Sequence, residues 1–240
     1  YRRVIKELLT GALSSEPLWD DDDAPSAASV SKARLKLSVA YCEAALQAVR
    51  DACAQSRLHP QRTYKDMHIC AFDGTNIALP IAGELSHHFG HASNKSGKSA
   101  HPIAGLMMLW NVSCQQPLAF SVSPYGQDER VEARKLFDKL PQNSLLITDR
   151  GYPSINFVAD LLQHKQSFIT RIKKNFYKGM AEHIDKHGND CLYTFQAKDH
   201  RGNIRSGPEN NITLRLISIT LSTGEREVLA TNLWKEDHHH

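Results

Sequence analysis

Asp73 and Asp149 each close an apolar run and lie beside a turn-forming glycine. Asp73 follows Ile69-Cys70-Ala71-Phe72 and precedes Gly74-Thr75-Asn76, while Asp149 follows Leu145-Leu146-Ile147-Thr148 and precedes Arg150-Gly151-Tyr152. Aspartate is a poor strand former, so a carboxylate in such a run costs packing unless it has another purpose. Two hard oxygen ligands carried into one cleft by neighbouring strands suit Mg²⁺, which takes one or two carboxylates and completes its shell with water and substrate phosphates. Two such ions about 3.5–4 Å apart can activate an attacking oxygen and stabilise a leaving one in phosphoryl transfer. Thr75 is placed to orient a water or to bond backbone. Arg150 has a planar fork that fits either Asp149 or a phosphate. The competing reading is a bend at Asp73-Gly74 and two coincidental loop acids.

Other chemistry is sparse. Lys95 and Lys98 lie in a Ser- and Gly-containing polar stretch and are candidate DNA contacts, or simply exposed lysines. The best basic patch runs from Lys165 to Lys186 and includes Arg171, Lys173, Lys174 and Lys178, with Phe176 and Tyr177 between the charges. A surface tracking a nucleic-acid backbone with occasional ring contacts has this composition, and so does a solvated strand-to-helix connection. His87-His88 and His91 read as a polar loop rather than a zinc site. No phosphate-binding GxxxxGK[ST] loop, HExxH helix or GxSxG elbow is present. The five cysteines are scattered, with no CxxC pair, which argues for a reducing compartment.

The elements needed to position the two acids follow from periodicity. A strand is expected through Asp73, followed by loop composition from Glu84 to Ser99. Ile103 to Val112 and Pro117 to Val122 read as adjacent antiparallel strands, apolar enough to suggest a sheet covered on both faces. Asp128 to Leu140 reads as a helix with Val131, Leu136 and Phe137 on its apolar side, stopped by Pro141. Leu145–Thr148 is then a buried strand, Ser154–Gln163 a helix and Phe168–Ile172 a further strand. That order predicts an α/β core with a mixed sheet, in which functional groups lie beyond the carboxyl ends of strands. Strands at Cys191–Phe195, Ile212–Thr220 and Glu227–Ala230 form an antiparallel β-rich segment attached to it.

Upstream, the chain reads as helix, polar break and helix. The break holds Asp20–Asp23, a solvated charge run, and the second helix is expected to be capped by Ser29 or Ser31 and to reach about Arg57. This part is either a DNA-binding helical unit or a bundle packed on the main domain. The divisions expected are 1–60 helical, 61–178 the first part of the core, and 179–240 the β-rich segment with the start of a return to the core. Lys plus Arg exceed Asp plus Glu by 29 to 26, which excludes a strongly basic nucleic-acid coat but not a local groove. With 41% hydrophobic and 23% charged residues the chain is a folded one, and no apolar stretch reaches the ~20 residues a membrane span needs.

The two acidic motifs, in this order and each after a hydrophobic strand, resemble those of IS4-type DDE transposases. Val228-Leu229-Ala230-Thr231-Asn232-Leu233 resembles the stretch that precedes their last catalytic region. The resemblance implies an RNase H-like core interrupted by a β-rich insertion, and DNA movement by metal-assisted hydrolysis and strand transfer. It implies Asp73 and Asp149 as catalytic metal ligands for Mg²⁺, with Mn²⁺ as an alternative, and Arg150 in support. Transposon ends and target DNA are the partners implied, with an oligomer to pair the ends, in the cytoplasm or at the nucleoid and with no membrane. The family's third acid belongs to a later helix, in a pattern Tyr-x2-Arg-x3-Glu-x6-Lys that is absent here. Glu225, Glu227 and Glu236 have suitable chemistry in the wrong surroundings and are assigned no role. The chain is therefore expected to be a fragment of a transposase. A metal-dependent nuclease of related fold and a non-catalytic DNA-binding remnant are the alternatives, with a plain α/β domain behind them.

Overall fold

The computed structural model describes residues 26–34, isolated positions from 36 to 51, and residues 63–94, 97–173, 176–197 and 210–234; of Ala27, Val30, Ser31, Arg34, Asn94 and Lys98 only the backbone is described. The chain divides into two compact units, 1–58 and 59–240. In the first, helix α1 (Ala27–Arg34) is capped by Ser26, whose Oγ accepts the Ser29 amide at 3.1 Å. The cap is neither Ser29 nor Ser31, because helices seldom extend back across a proline and Ser26 is the first serine after Pro25. The helix does not run on to Arg57 as expected: it ends at Arg34, and Lys36 lies in a turn. The opening segment, the Asp20–Asp23 run and His59-Pro60 lie outside the described residues.

The second unit is built on one eight-stranded sheet, in the order β5-β4-β1-β6-β7-β10-β9-β8. Its elements in chain order are β1 (His68–Ala78), α2 (Gly83–Phe89), β2 (Ser93–Asn94), β3 (Gly97–Lys98), β4 (Ile103–Asn111) and β5 (Gln116–Pro124). There follow α3 (Glu129–Arg134), β6 (Ser144–Thr148), α4 (Ile155–Gln163), β7 (Ser167–Ile172), α5 (Met180–His187), β8 (Asp190–Gln196), β9 (Asn211–Thr220) and β10 (Arg226–Thr231). β1, β4 and β5 form an antiparallel meander, and β1, β6 and β7 run parallel. This is the mixed α/β sheet expected of an RNase H-like core. β10 then adds to β7 antiparallel, and β9 and β8 follow. The C-terminal strands thus extend the same sheet.

Alternation decides which residues enter the core. Cys70 and Phe72 of β1, Met107 and Leu109 of β4, Leu146 of β6, Phe168 and Ile172 of β7, and Val228 and Ala230 of β10 point to one face, where α4 and α5 contribute Phe157, Leu161, Met180 and Ile184. Phe157 and Phe168 are almost wholly buried, each contributing about 1.5–3 kcal/mol over exposure. Phe137 links the layers, its ring 6.0 Å from Phe72 and 5.5 Å from Phe157. Ser154 caps α4 by accepting the Phe157 amide at 3.1 Å. The stretch Thr231-Asn232 joins β10 to β7 by side chains: Thr231 Oγ1 donates to the Phe168 carbonyl, and Asn232 accepts the Phe168 amide at 3.0 Å while donating to the Gln166 carbonyl at 2.9 Å.

Three expectations are corrected. Glu84–Ser99 is not all loop, since α2 and the small β2–β3 hairpin occupy it; α2 buries no residue, so it leaves no apolar period to read. The helix expected over 128–140 is a single turn and a half, α3, capped by Asp128 and followed by a 3-10 turn at Phe137–Lys139 that carries Phe137 into the core. The sheet is not covered on both faces: Phe120 and Val122 on the edge strand β5 and Ile147 on β6 are 51, 52 and 40% exposed. Among the described residues no helix is long and apolar enough to cross a membrane.

Candidate active site

Ala71 of β1 pairs with Ile147 of β6 in parallel register. Continuing one pleat along both strands brings Asp73 and Asp149 to the same level on the same face, on neighbours about 4.8 Å apart. That face is opposite the one carrying Cys70, Phe72 and Leu146, so Asp73 and Asp149 are exposed while the residues before them, Phe72 and Thr148, are buried. The sequence signal for this placement was an apolar run ended by an acid, and the geometry explains it: alternate residues anchor each strand in the core and the next one projects to the open side.

The same rung continues into β7 and β10. Thr148 pairs with Thr170, so Arg171 lies beside Asp149, and its Nη1 donates to Asp149 Oδ1 at 2.9 Å. The other edge of the guanidinium grips Glu227 on β10, with Nε donating to Oε2 at 3.2 Å and Nη2 donating to Oε1. Those hydrogen bonds hold the Glu227 carboxyl below its ordinary range, helped by the charges of Arg171 and Arg150, and they keep Arg171 more firmly protonated. Arg150 itself is exposed in the turn after β6, and Thr75 is exposed two residues beyond Asp73 on the same face.

Tyr152, the last residue of the second acidic motif, and Glu129, which has no sequence signal, complete the surroundings. Tyr152 is buried, and its phenol is pushed well above the usual range, first by burial and then by the charge of Glu129, that of Asp73, a hydrogen bond to Glu129 and the charge of Asp149. Its hydroxyl also lies 3.6 Å from Met107 Sδ. Three carboxylates therefore bear on one phenol. Glu129 reaches the strand because Gly74 has no side chain: a Cβ there would stand 2.8 Å from Glu129 Cδ. A cavity of about 210 Å³ opens beside them, lined by Gly74, Thr75, Ser123, Glu129 and Glu132 among others.

The remaining candidates are dispersed. Lys173 follows β7 and is exposed; Lys178 is exposed in the turn before α5, its carbonyl accepting the Tyr193 hydroxyl at 2.7 Å. Lys98 lies on β3, and Lys95 and Lys174 lie outside the described residues. Lys165 and Lys173 flank opposite ends of β7. Phe176 and Tyr177 do not offer free rings: they pack on Phe195 at centroid distances of 6.3 and 4.5 Å. Arg171, expected as a phosphate contact, is held between Asp149 and Glu227 and remains 40% exposed.

A divalent ion fits the chemistry of the donor set, since Asp73 and Asp149 are hard, exposed and adjacent. Among the described residues no three His, Cys, Asp or Glu side chains converge tightly enough to enclose a metal. Such an ion would therefore take two protein carboxylates and fill its shell from water and phosphate, as Mg²⁺ commonly does.

Comparison with known proteins identifies the family. A family model described as Transposase DDE domain matches residues 64–230, which take in β1 through β10 apart from its last residue. The chain belongs to that family. It is 28% identical over 98 residues to a protein of Escherichia coli (strain K12) named "Putative transposase InsZ", a match covering 40% of this chain and 33% of that one. The chain thus spans about a third of the length of the curated relative it matches. Among solved structures, it is similar to Endonuclease V of Ciona intestinalis in complex with a 24mer DNA, at 9% identity and a TM-score of 0.26, covering 80% of this chain and 81% of that one. It is also similar to Endonuclease V of Streptomyces avermitilis, at 11% identity and a TM-score of 0.27, covering 79% and 76%. Superpositions that loose add nothing to the strand order itself.

Proposed function

We propose that this chain carries the catalytic centre of an IS4-type DDE transposase, which in its full-length form cleaves and joins DNA by Mg²⁺-dependent phosphoryl transfer. The observation that carries the reading is the placement of Asp73 and Asp149 on one rung of parallel neighbours, inside the segment that matches the family. Bound there, the metal supplies charge stabilisation at the attacked phosphate and a more acidic water. Asp73 and Asp149 would hold that ion at the end of the β1–β6 pair. Thr75 orients water on the same face, and Arg150 meets phosphate charge at the rim. Lys95, Lys98, Lys173, Lys174 and Lys178, with the exposed edge of Arg171, follow the backbone of double-stranded DNA at the transposon ends and target. Action on paired ends calls for a homo-oligomer, working in the cytoplasm or at the nucleoid.

The test is end cleavage and strand joining by the full-length protein on duplexes carrying its own terminal sequences, with Mg²⁺ or Mn²⁺. Wild type is expected to do both, and Asp73→Asn and Asp149→Asn are each expected to lose about 10²–10³-fold or more, the scale of removing a preorganised charge partner. Cleavage without joining would identify a nuclease, and salt-sensitive binding without metal-dependent cleavage a DNA-binding remnant. Either result overturns the transposase reading.

A further inference from the structure

We propose that Arg171, braced by Glu227, is the resident counter-ion of Asp149 and competes with the divalent cation for that carboxylate. The inference rests on the two-aspartate metal site proposed above and adds two residues to it.

The division of the guanidinium carries it. Arginine offers five N–H donors in a fixed plane. Glu227 takes the edge made by Nε and Nη2, a two-point grip, and Asp149 takes Nη1 alone. Strand pairing fixes this partition. Arg171 is level with Asp149 on one side and with Leu229 on the other, so Glu227, two residues from Leu229, reaches the guanidinium diagonally. Among the described residues, Arg171 is the one side chain bonded to the Asp149 carboxylate. Without metal, the negative charge of Asp149 is partly neutralised by a cation that cannot leave. When a divalent ion enters, it draws on the same carboxylate, and Glu227 keeps the displaced charge occupied. Arg171 and Glu227 are thus positioning residues with opposite effects on the metal. Arg171 opposes its binding, and Glu227 relieves that opposition by holding Arg171 back. Arg150, whose charge also bears on Glu227, acts in the same sense as Arg171.

The experiment is calorimetric titration of the 240-residue chain with Mn²⁺ alone, at low ionic strength and neutral pH, with thermal melts to show that each variant is folded. Arg171→Met is expected to bind Mn²⁺ about two- to fivefold more tightly, the range over which exposed ion pairs act. Glu227→Gln is expected to bind it more weakly by a similar factor, because the freed donors of Arg171 and the charge of Arg150 then fall on Asp149. Arg171→Lys, which keeps the cation, should bind about as wild type does. Weakening or no change in Arg171→Met, or the same direction of change in Arg171→Met and Glu227→Gln, would overturn the inference while leaving the metal site standing. Binding that persists in Asp73→Asn and Asp149→Asn, or no binding by wild type, would overturn the metal site and the counter-ion role together.

Discussion

Directly beneath Asp149 and Arg171, on the core side of the sheet, Thr148 Oγ1 and Thr170 Oγ1 lie 2.7 Å apart, each residue only 2% exposed. Thr148 donates to Thr170, and Thr170 turns its own proton toward the carbonyls of Thr148 and Arg171, each at 3.4 Å. Valine at position 170 has the shape of threonine but leaves the Thr148 hydroxyl buried without its acceptor, at a cost of about 1–3 kcal/mol. Valine at position 148 removes a donor while Thr170 keeps its carbonyls, so the loss is the smaller, about 0.5–1.5 kcal/mol. Replacing both removes both polar groups together and should be nearly neutral. The singles together therefore exceed the double, with a coupling of about 3 kcal/mol, at the upper end of the range seen for touching residues. In a chain of this size about 1 kcal/mol moves Tm by about 2–4 °C. Thr170→Val should melt about 4–8 °C below wild type, and the double variant should recover most of that. Urea denaturation followed by circular dichroism measures the free energies. If the single losses simply add in the double variant, the buried pair is not the acceptor-limited contact described.

Two further outcomes follow from single residues. Gly74→Ala forces Glu129 aside, because the new Cβ would be 2.9 Å from Oε1; since Glu129 is an exposed, flexible side chain, stability should change by less than about 1 kcal/mol. The phenol of Tyr152 should nevertheless titrate at lower pH, read by ultraviolet difference spectra against Tyr152→Phe, and an unmoved titration would refute the contact. Asp128 caps α3 and is bound by Arg130 through Nε and Nη2, which holds its carboxyl below the ordinary range. A depressed folded value contributes stability above the ordinary carboxylate range that is lost as pH falls through the folded one. Asp128→Asn keeps the cap, so its melting temperature should fall less steeply than that of wild type below about pH 4; parallel acid limbs would exclude the ion pair as a source of stability.

The acidic pair was legible because each acid ends a run whose alternate members are core residues, a local pattern that needs no knowledge of the sheet order. Glu227 was not legible as a partner of Asp149. Its role depends on β10 lying beside β7, a pairing across 56 residues that alternation within either strand does not reveal. Glu129 was hidden for a related reason: it heads a short helix, and what draws it to the strand is a missing side chain at Gly74. The free rings expected within the basic stretch were misread in the opposite direction. Nearness in sequence set them among the charges, yet Phe176 and Tyr177 were needed by the core. Helix α2 left no trace because a helix that buries nothing has no apolar stripe.

The parallel seam between β1 and β6 also limits what change this domain can absorb. Inserting or deleting one residue in the connection through Pro141–Asn143, so that β6 slid by a single position, would turn Asp149 toward the helices and bring Thr148 out in its place. A slide of two would restore the side but move the carboxylate roughly 6.6 Å along the strand, out of step with Asp73. Length variation among relatives should therefore collect beyond β7, while the connection that leads into β6 keeps its count.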